Sequence, residues 1–216
     1  MNSKKARLPA LVVMTRWAAI NRCKKRLSNE IGSKQATIIQ RELIEHTFKV
    51  VESIGKKKLA EIFVAVSGIS KQSATRWVKS KGLINTINQG EGSLGLRMRK
   101  QFLRMQRYKR KRKTILIGSD LPTLCERDVI EAIDSLNKFP IVLGPSKDGG
   151  YWLIGMSGEL LDPLVIWPFS NIPWGTDKVL EETLKSAKLT NTNYFLLHEH
   201  NDLDTLNDLS PWLNEF

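Results

Sequence analysis

The chain has 216 residues, a length that one α/β domain with a full hydrophobic core commonly has. Hydrophobic residues make up 41% and charged residues 26%, which is close to the averages of globular proteins and excludes a disordered or fibrous chain. The formal net charge of +12 favours phosphate-rich partners such as nucleotides, nucleic acids or anionic lipids, without choosing among them.

No apolar run approaches the roughly 20 residues that a membrane-spanning helix needs. The early apolar stretch 9–14 is also too short for the core of a secretory signal. We therefore expect a cytoplasmic protein without a membrane span. From the length and the lack of an internal repeat, we expect one domain over residues 1–216, with residues 1–7 as a flexible tail.

Apolar runs and helical periodicity alternate from the start of the chain. Residues 8–15 predict a short strand, and the basic segment 16–29 is too polar for the core and is expected to be a loop. Three- and four-residue spacings over 33–54 predict an amphipathic helix, with Ser33 as its N-cap. The continuous apolar run 61–66 predicts a strand that is buried on both faces.

The same alternation continues along the rest of the chain. The glycine-rich loop 89–95 opens a basic helix, and Leu96, Phe102 and Leu103 form its expected core stripe. Further helices are expected at 70–81, 124–136 and 176–187, and further strands at 114–118, 140–144, 151–156 and 193–197. This order predicts a mostly parallel sheet covered by helices on both faces, which binds ligands outside the carboxyl ends of its strands.

Carboxylates at the expected ligand edge are candidates for a metal site. Asp120 comes directly after the apolar strand 114–118 and Ser119, so its carboxylate would project into the ligand crevice. Mg²⁺ prefers oxygen ligands and commonly joins one or two carboxylates to substrate phosphates. Asp202 and Asp204, in a polar turn after the last predicted strand, would complete the coordination. Helix caps and turns are the alternative roles for all three residues.

A basic loop follows the first strand, and its cations are suited to holding the oxygens of a diphosphate. They are Arg16, Arg22, Lys24, Lys25 and Arg26. The loop lacks the GxxxxGK[ST] pattern, which argues against a P-loop nucleotide hydrolase. The alternative is an ordinary solvated loop.

Two further groups of polar residues have both a structural and a functional interpretation. Asp148, Gly149, Gly150 and Tyr151 form either a hairpin turn or a place where the backbone approaches a ligand closely. Asp177 either caps the helix that follows it or serves as a carboxylate on the acceptor side.

Much of the positive charge lies in residues 97–113, at the end of a predicted helix. Cations there complement the negative end of the helix dipole, so a solvated helix face is the first interpretation. The alternative is a surface that binds nucleic acid or another acidic partner.

Six sequence blocks occur in an order that is typical of one family. They are Lys24-Lys-Arg-Leu27, Gly90-Glu-Gly-Ser-Leu-Gly95 with Arg97-Met98, Ile117-Gly-Ser-Asp-Leu-Pro122, Leu143-Gly-Pro-Ser-Lys-Asp-Gly-Gly-Tyr151, Pro173-Trp-Gly-Thr-Asp177 and Asp202-Leu-Asp-Thr205. Over nearly its whole length the chain resembles DUF2064, a GT-A-type family of uncharacterised bacterial glycosyltransferase-like proteins. The family is related in fold to 2-phospholactate guanylyltransferases and molybdenum-cofactor nucleotidyltransferases. The resemblance implies a single three-layer α/β/α domain with a mixed, mostly parallel sheet.

The resemblance also implies roles for particular residues. Asp120, Lys24 and Arg26 would be catalytic, with the two cations sharing the charge that develops on the phosphates. The nucleotide and its phosphates are expected to contact Arg16, Lys24, Arg26, Gly92 and Ser119. The cofactor is expected to be Mg²⁺ or Mn²⁺ on Asp120, Asp202 and Asp204. The sugar or acceptor is expected beside Asp148, Gly149, Gly150, Tyr151 and Asp177.

The loop after the first strand departs from the family's pattern, Pro-x-Pro-Gly-x-x-Lys-Thr-Arg-Leu. Ala18, Ile20, Asn21 and Lys25 stand where the family has two prolines, a glycine and a threonine. Asn21 tolerates a positive φ better than most residues, so the turn is expected to survive. Without the prolines the loop is less preorganised.

We therefore expect a metal-dependent transferase with a nucleotide-activated donor, and the family favours glycosyl transfer from a nucleotide sugar. One alternative is a nucleotidyltransferase that acts on a nucleoside triphosphate. Another is a catalytically degenerate scaffold that binds nucleic acid or a protein partner through residues 97–113. The acceptor and the oligomeric state are left open.

Overall fold

The computed structural model describes residues 7–109, 112–161 and 164–209. Of the expected tail, residues 1–6 lie outside these ranges, as do residues 110 and 111 of the basic segment. The described strands are β1 Ala10–Arg16, β2 Glu61–Ser67, β3 Asn85–Asn88, β4 Thr114–Ile117, β5 Ile141–Pro145, β6 Tyr151–Met156 and β7 Tyr194–Leu196. The described α-helices are α1 Lys25–Ile31, α2 Ser33–Lys56, α3 Lys71–Ser80, α4 Leu94–Tyr108, α5 Glu126–Ser135, α6 Val179–Leu189 and α7 Leu206–Leu209.

The strands form one seven-stranded sheet in the order β3-β2-β1-β4-β6-β5-β7. β1 pairs in parallel with both β2 and β4, so that Leu11 lies between Ile62 and Ile115. Only β6 runs against its neighbours among the described strands, because it is antiparallel to β4 and to β5. The carboxyl ends of β1, β2 and β4 therefore meet at one edge of the sheet, beside the start of β6.

Alternating side chains of the central strand divide the core into two layers. On one face, Leu11 and Val13 pack in a buried cluster with residues of α2, α3 and α5. On the other face, Ala10 and Val12 pack with residues of α4 and α6. The expected three-layer α/β/α fold is confirmed, and each fully buried aliphatic side chain contributes about 1.5–3 kcal/mol to it.

Two local expectations near the first strand are wrong. The predicted loop 16–29 contains the start of helix α1, which is held by the fully buried side chain of Leu27. That residue packs with Leu43 and Leu203, so a single apolar residue anchors a helix whose periodicity is too short to recognise. Ser33 is the first residue of α2 and does not cap it, because Gly32 holds the N-cap position.

Two further differences arise where packing departs from the sequence pattern. Strand β3 was not predicted, since its residues are mostly polar and it pairs only with β2 at the edge of the sheet. Leu96 was expected in the core but is 41% exposed, whereas Met98, Phe102 and Met105 form the buried stripe of α4. No helix in the described ranges is long and apolar enough to cross a membrane. The single domain and the cytoplasmic location stay predictions.

Candidate active site

An open cleft of about 490 Å³, called here the main cleft, lies at the carboxyl ends of β1, β2 and β4. It brings together six of the residues that sequence reasoning proposed for donor and metal binding. They are Arg16, Lys24, Arg26, Ser119, Asp120 and Asp204. Arg22 and Lys25 of the same loop also line it. The rule that ligands bind at the carboxyl edge of the sheet thus locates this cleft.

A second cavity of about 210 Å³, called here the side cavity, adjoins the main cleft. The two share Met14, Leu94, Ser119 and Asp120 in their walls. Most of the other side-cavity residues are apolar, with Asp202 as the exception. Asp120 therefore faces both a polar, cationic space and a smaller, mainly apolar one.

The loop between β1 and α1 reaches the cleft through two left-handed residues. Asn21 has φ 62° and Lys24 has φ 46°. Asn21 thus takes the positive φ for which the family uses glycine, and the turn survives as expected. The Ser28 amide donates to the Lys24 carbonyl at 2.7 Å, which fixes the start of α1 directly behind the lysine.

The Lys24 ammonium lies between two of the expected metal ligands. Its Nζ is 2.9 Å from Asp204 Oδ1 and 3.7 Å from Asp120 Oδ2, and its side chain is only 2% exposed. Burial lowers the pKa of Lys24, but the charges of Asp120 and Asp204 outweigh it, so the pKa is raised. Lys24 is therefore firmly cationic and already neutralises part of the acidic cluster.

Gln40 is a site residue that sequence reasoning missed. It lies on α2, is buried, and donates from Nε2 to Asp120 Oδ1 at 2.7 Å. This hydrogen bond fixes one oxygen of the carboxylate and leaves the other toward Lys24. The available signal was a glutamine at a core position of a helix, where a buried polar side chain needs a partner.

Asp202 is partly buried, and one of its carboxylate oxygens lacks compensation. Its Oδ1 atom has no hydrogen-bond partner within the described part of the chain. Burial, followed by the charges of Asp120 and Asp148, raises its pKa to about 7. Asp120, Asp202 and Asp204 are called here the acidic pole of the site.

Arg16 and Arg97 form a second charged region, called here the basic pole. Arg97 lies on α4, lines the main cleft, and donates from Nη1 to Gln89 Oε1 at 2.7 Å. Burial and the neighbouring charge of Arg16 lower the pKa of Arg97. Sequence reasoning placed Arg97 in a basic helix and not in the site, although its position just after the glycine-rich loop was a usable signal.

The two remaining residues of the expected nucleotide set have local structural roles. Gly92, at φ 105°, lies outside the main cleft's lining, and a Cβ there would approach Leu96 Cδ2 to 2.5 Å. Leu94 supplies the cleft wall from this loop. Ser119 lines both cavities but is buried, and its hydroxyl donates to Thr15 Oγ1 at 3.0 Å.

The residues expected on the acceptor side form a turn and one cavity wall. The Gly150 amide donates to Asp148 Oδ1 at 2.9 Å in the hairpin between β5 and β6. A Cβ on Gly149 would lie 2.0 Å from the Asp177 carbonyl, so the turn packs directly on the segment before α6. Tyr151 lines the side cavity, whereas Asp177 is exposed and lines neither space.

No set of three or more His, Cys, Asp or Glu side chains within the described ranges is arranged closely enough to hold a metal ion. The acidic pole alone is thus an incomplete ligand set. Substrate oxygens commonly complete such sites when Mg²⁺ is bound.

The sheet order and the cleft at its carboxyl edge are those of a GT-A-like fold. The chain aligns with a protein from Desulfovibrio desulfuricans G20 named "putative nucleotide-diphospho-sugar transferase" (TM-score 0.83, 21% identity, 94% of this chain and 85% of that one). It also aligns with a cytidylyltransferase from Leptospira borgpetersenii (TM-score 0.58, 11% identity, 97% of this chain and 88% of that one). A third match is glucosyl-3-phosphoglycerate synthase from Mycobacterium tuberculosis in complex with Mn²⁺, UDP and glucosyl-3-phosphoglycerate (TM-score 0.57, 11% identity, 95% of this chain and 75% of that one).

Residues 50–176 match the model of the family DUF2064, described as an uncharacterized protein conserved in bacteria. The chain belongs to this family. No curated protein matches its sequence. The expected family is therefore confirmed, and the structural likenesses establish the fold.

Proposed function

We propose that this protein is a metal-dependent transferase with a nucleotide-activated donor, and that it transfers a glycosyl group from a nucleotide sugar. One observation carries the proposal. A single cleft at the carboxyl edge of a GT-A-like sheet joins Asp120 and Asp204 to a cationic loop, and Asp202 lines the adjoining side cavity. Such a combination suits a diphosphate bridged by a divalent cation.

The donor's phosphates would bind along the cationic side of the main cleft. Lys24 is a buried cation that lines the cleft from a left-handed turn. Arg26 lies on the first turn of α1 and lines the same space. During transfer these two cations would share the negative charge that develops on the departing diphosphate.

The acidic pole fits a divalent cation in two respects. Asp202 has a buried oxygen without a partner, and its pKa is raised by burial and then by the neighbouring carboxylates. A cation there would supply both a ligand for that oxygen and the missing charge. Asp120 and Asp202 would hold Mg²⁺ or Mn²⁺, which would act as a Lewis acid on the phosphates, while Asp204 stays with Lys24.

The transferred group or its acceptor would occupy the side cavity. Asp120 borders both spaces, so a ligand that spans them would present its reacting bond next to this carboxylate. Tyr151 and Trp152 line the side cavity and provide an aromatic wall of the kind that packs against sugar rings or apolar groups.

Nucleotidyl transfer is the second candidate, and the charge of the cleft favours it. Six cations line the main cleft, more than a diphosphate alone would need. They are Arg16, Arg22, Lys24, Lys25, Arg26 and Arg97. A nucleoside triphosphate carries the additional charge to match them.

A nucleic-acid surface on the basic segment has less support. Lys100 donates to the Glu91 carbonyl at 2.8 Å, and Arg104 donates to the Asn88 carbonyl at 2.6 Å. Arg112 is buried and pairs with Glu61 at 2.8 Å. These cations make hydrogen bonds and ion pairs within the protein, which leaves fewer of their N–H donors for the phosphates of a nucleic acid.

A panel of nucleotides and nucleotide sugars, each with and without Mn²⁺, tests the proposal by thermal shift. A ligand that binds the native state raises the unfolding midpoint. We expect a metal-dependent shift in the wild type that is lost in Asp120→Asn. Asp134→Asn, which removes the same charge from an exposed position on α5, should keep it.

The products separate the two reactions. Release of a nucleoside diphosphate from a nucleotide sugar supports glycosyl transfer, and release of pyrophosphate from a nucleoside triphosphate supports nucleotidyl transfer. If no ligand shifts the midpoint with or without Mn²⁺, the proposed transferase is wrong, and the degenerate scaffold becomes the better interpretation.

A further inference from the structure

The two arginines of the basic pole reach the main cleft from different elements. Arg16 ends β1, and its stem crosses Gly68, where a Cβ would lie 3.3 Å from Arg16 Cγ. Gly68 has φ 88°, so the chain turns away here and leaves room for the guanidinium. Arg97 comes from the first turns of α4, on the opposite face of the sheet from the Lys24 loop.

Neither arginine has a counterion in the described part of the protein. Arg97 makes a hydrogen bond only to the neutral side chain of Gln89, and its buried Nε has no partner there. The described ion pairs of the acidic pole are with Lys24 and not with an arginine. Two guanidinium groups thus line the same cleft without an ion-pair partner among the described residues, and one of them keeps an unused buried donor.

Arg97 is held in place by a buried amide network. Gln89 donates from Nε2 to the carbonyls of Thr15 at 2.7 Å and Ala65 at 3.0 Å, which ties it to β1 and β2. Gln101 donates to the Gln89 carbonyl at 2.9 Å from the next turn of α4. Because Gln89 is fixed on both sides, its Oε1 orients Arg97 before any ligand arrives.

We propose that Arg16 and Arg97 form a second anion subsite, which binds a phosphoryl or carboxylate group of a ligand separately from the phosphates at Lys24 and Arg26. The subsite itself does not depend on the proposed function. Only its separation from the donor's phosphates rests on that proposal.

The chemistry of the pair defines this ligand class. A guanidinium presents parallel N–H donors that match two oxygens of a phosphoryl or carboxylate group, and charge-assisted bonds of this kind are about twice as strong as neutral ones. An anion between Arg16 and Arg97 would cancel their repulsion and accept from the unused Arg97 Nε. A neutral sugar hydroxyl can accept from this Nε but would leave the repulsion between the two charges in place.

Calorimetric titration with inorganic phosphate and with malonate, at constant ionic strength, tests the subsite. Arg97→Gln should weaken the binding of both probes about tenfold, since it removes a charge-assisted, oriented contact. Arg107→Gln removes the same charge from an exposed position of the same helix and should change the affinity less than about twofold. Equal losses in the two variants would overturn the proposal.

A second pair of variants covers the case in which Arg97→Gln fails to fold. Arg16 is exposed and Arg76 is exposed on α3, so both substitutions to Gln leave the core intact. Phosphate affinity should fall in Arg16→Gln and not in Arg76→Gln. If neither Arg16→Gln nor Arg97→Gln loses affinity selectively, the subsite does not exist.

Nucleotides identify the source of the bound group and separate this proposal from the previous one. If phosphate still binds with saturating nucleoside diphosphate present, the subsite takes an acid of the acceptor. If Arg97→Gln weakens triphosphate binding but not diphosphate binding, it takes the donor's terminal phosphate. If phosphate binding depends on Arg97 but no nucleotide binds, the transferase proposal is wrong and the subsite is supported. If nucleotide binding depends on Asp120 but Arg97→Gln changes the binding of no probe, the transferase is supported and the subsite is wrong.

Discussion

The acidic and basic poles of the cleft both hold like charges close together, but only one of them contains its own counterion. At the acidic pole, Lys24 lies between Asp120 and Asp204 and neutralises part of their charge. At the basic pole, Arg97 hydrogen-bonds to the neutral side chain of Gln89, and neither arginine has an ion-pair partner among the described residues. The comparison indicates that the protein neutralises part of the negative charge where a cation would bind. It leaves the positive charge unneutralised where an anion would bind.

The shifted pKa values of Asp202 and Arg97 show that each pole keeps some uncompensated charge repulsion. Burial and neighbouring carboxylates raise the pKa of Asp202, whereas burial and Arg16 lower the pKa of Arg97. In both cases the folded protein disfavours a charge that the unfolded chain tolerates. Both groups therefore lower the free energy of unfolding, and a bound ligand of the opposite charge would offset this loss.

The largest expected effect concerns the acidic pole and pH. The pKa of Asp202 rises from 3.8 to about 7, so between these values the unfolded chain has lost a proton that the folded protein keeps. Stability should therefore fall as pH rises from 4 to 7, by at most about 4 kcal/mol for this residue. In urea unfolding with EDTA present, the free energy of unfolding of Asp202→Asn should therefore increase relative to that of the wild type as the pH rises over this range.

Asp134→Asn is the matched control for that comparison, because its carboxylate is exposed on α5. Its difference from the wild type should not change with pH. Parallel stability curves for Asp202→Asn and the wild type would show that the acidic pole carries no strain.

The next effect removes the internal counterion. Lys24→Met should lower the free energy of unfolding by about 2 kcal/mol, which is less than the loss of a fully buried partner. The reason is that Asp120 and Asp204 are 46% and 44% exposed and can be hydrated. Lys25→Met, at an exposed neighbouring position, should stay within about 0.5 kcal/mol in the same denaturant titration. An equal cost in both variants would contradict the role of the buried ammonium.

A smaller effect tests the turn that carries Lys24. Asn21→Ala should cost about 1 kcal/mol, because alanine is strained at the φ of 62° found here. Asn21→Gly should be nearly neutral, since glycine adopts this conformation freely. Chemical denaturation of the two variants measures the difference, and indistinguishable midpoints would show that the turn rearranges without cost.

The smallest effect belongs to the basic pole. Arg16→Gln should raise stability by up to about 0.5 kcal/mol at low salt, because it relieves the repulsion on Arg97. The gain should shrink at 1 M salt, where exposed charges are screened. Unfolding curves at two salt concentrations decide it, and a gain that salt leaves unchanged would have another origin.

The sequence predicted the parts of this molecule that depend on local pattern. Alternating apolar strands and periodic helices gave the layers, and the end of an apolar strand located Asp120 at the ligand edge. The basic loop was correctly expected near the same cleft, because the carboxyl ends of neighbouring parallel strands meet there. Helix α1 was missed because its burial depends on Leu43 and Leu203, which are distant in sequence from Leu27.

The parts that escaped prediction depend on contacts in three dimensions. Gln40 lies 80 positions from Asp120, and the sequence around Gln40 does not predict that this carboxylate accepts its hydrogen bond. Gln89 binds carbonyls of two strands and orients Arg97, so its role exists only once the sheet has formed. The pairing of Lys24 with Asp204 likewise depends on the folded structure, and the role of Asp204 as a metal ligand stays a prediction.

The ion pair between Lys24 and Asp204 also has a consequence for biosynthesis. Its two residues are 180 positions apart, and Leu27 and Leu203 pack beside it. A ribosome must therefore release Asp204, and all of the chain between the two residues, before the early loop meets its partner. Until then the nascent chain carries a lysine beside an unfinished sheet, and the site is incomplete.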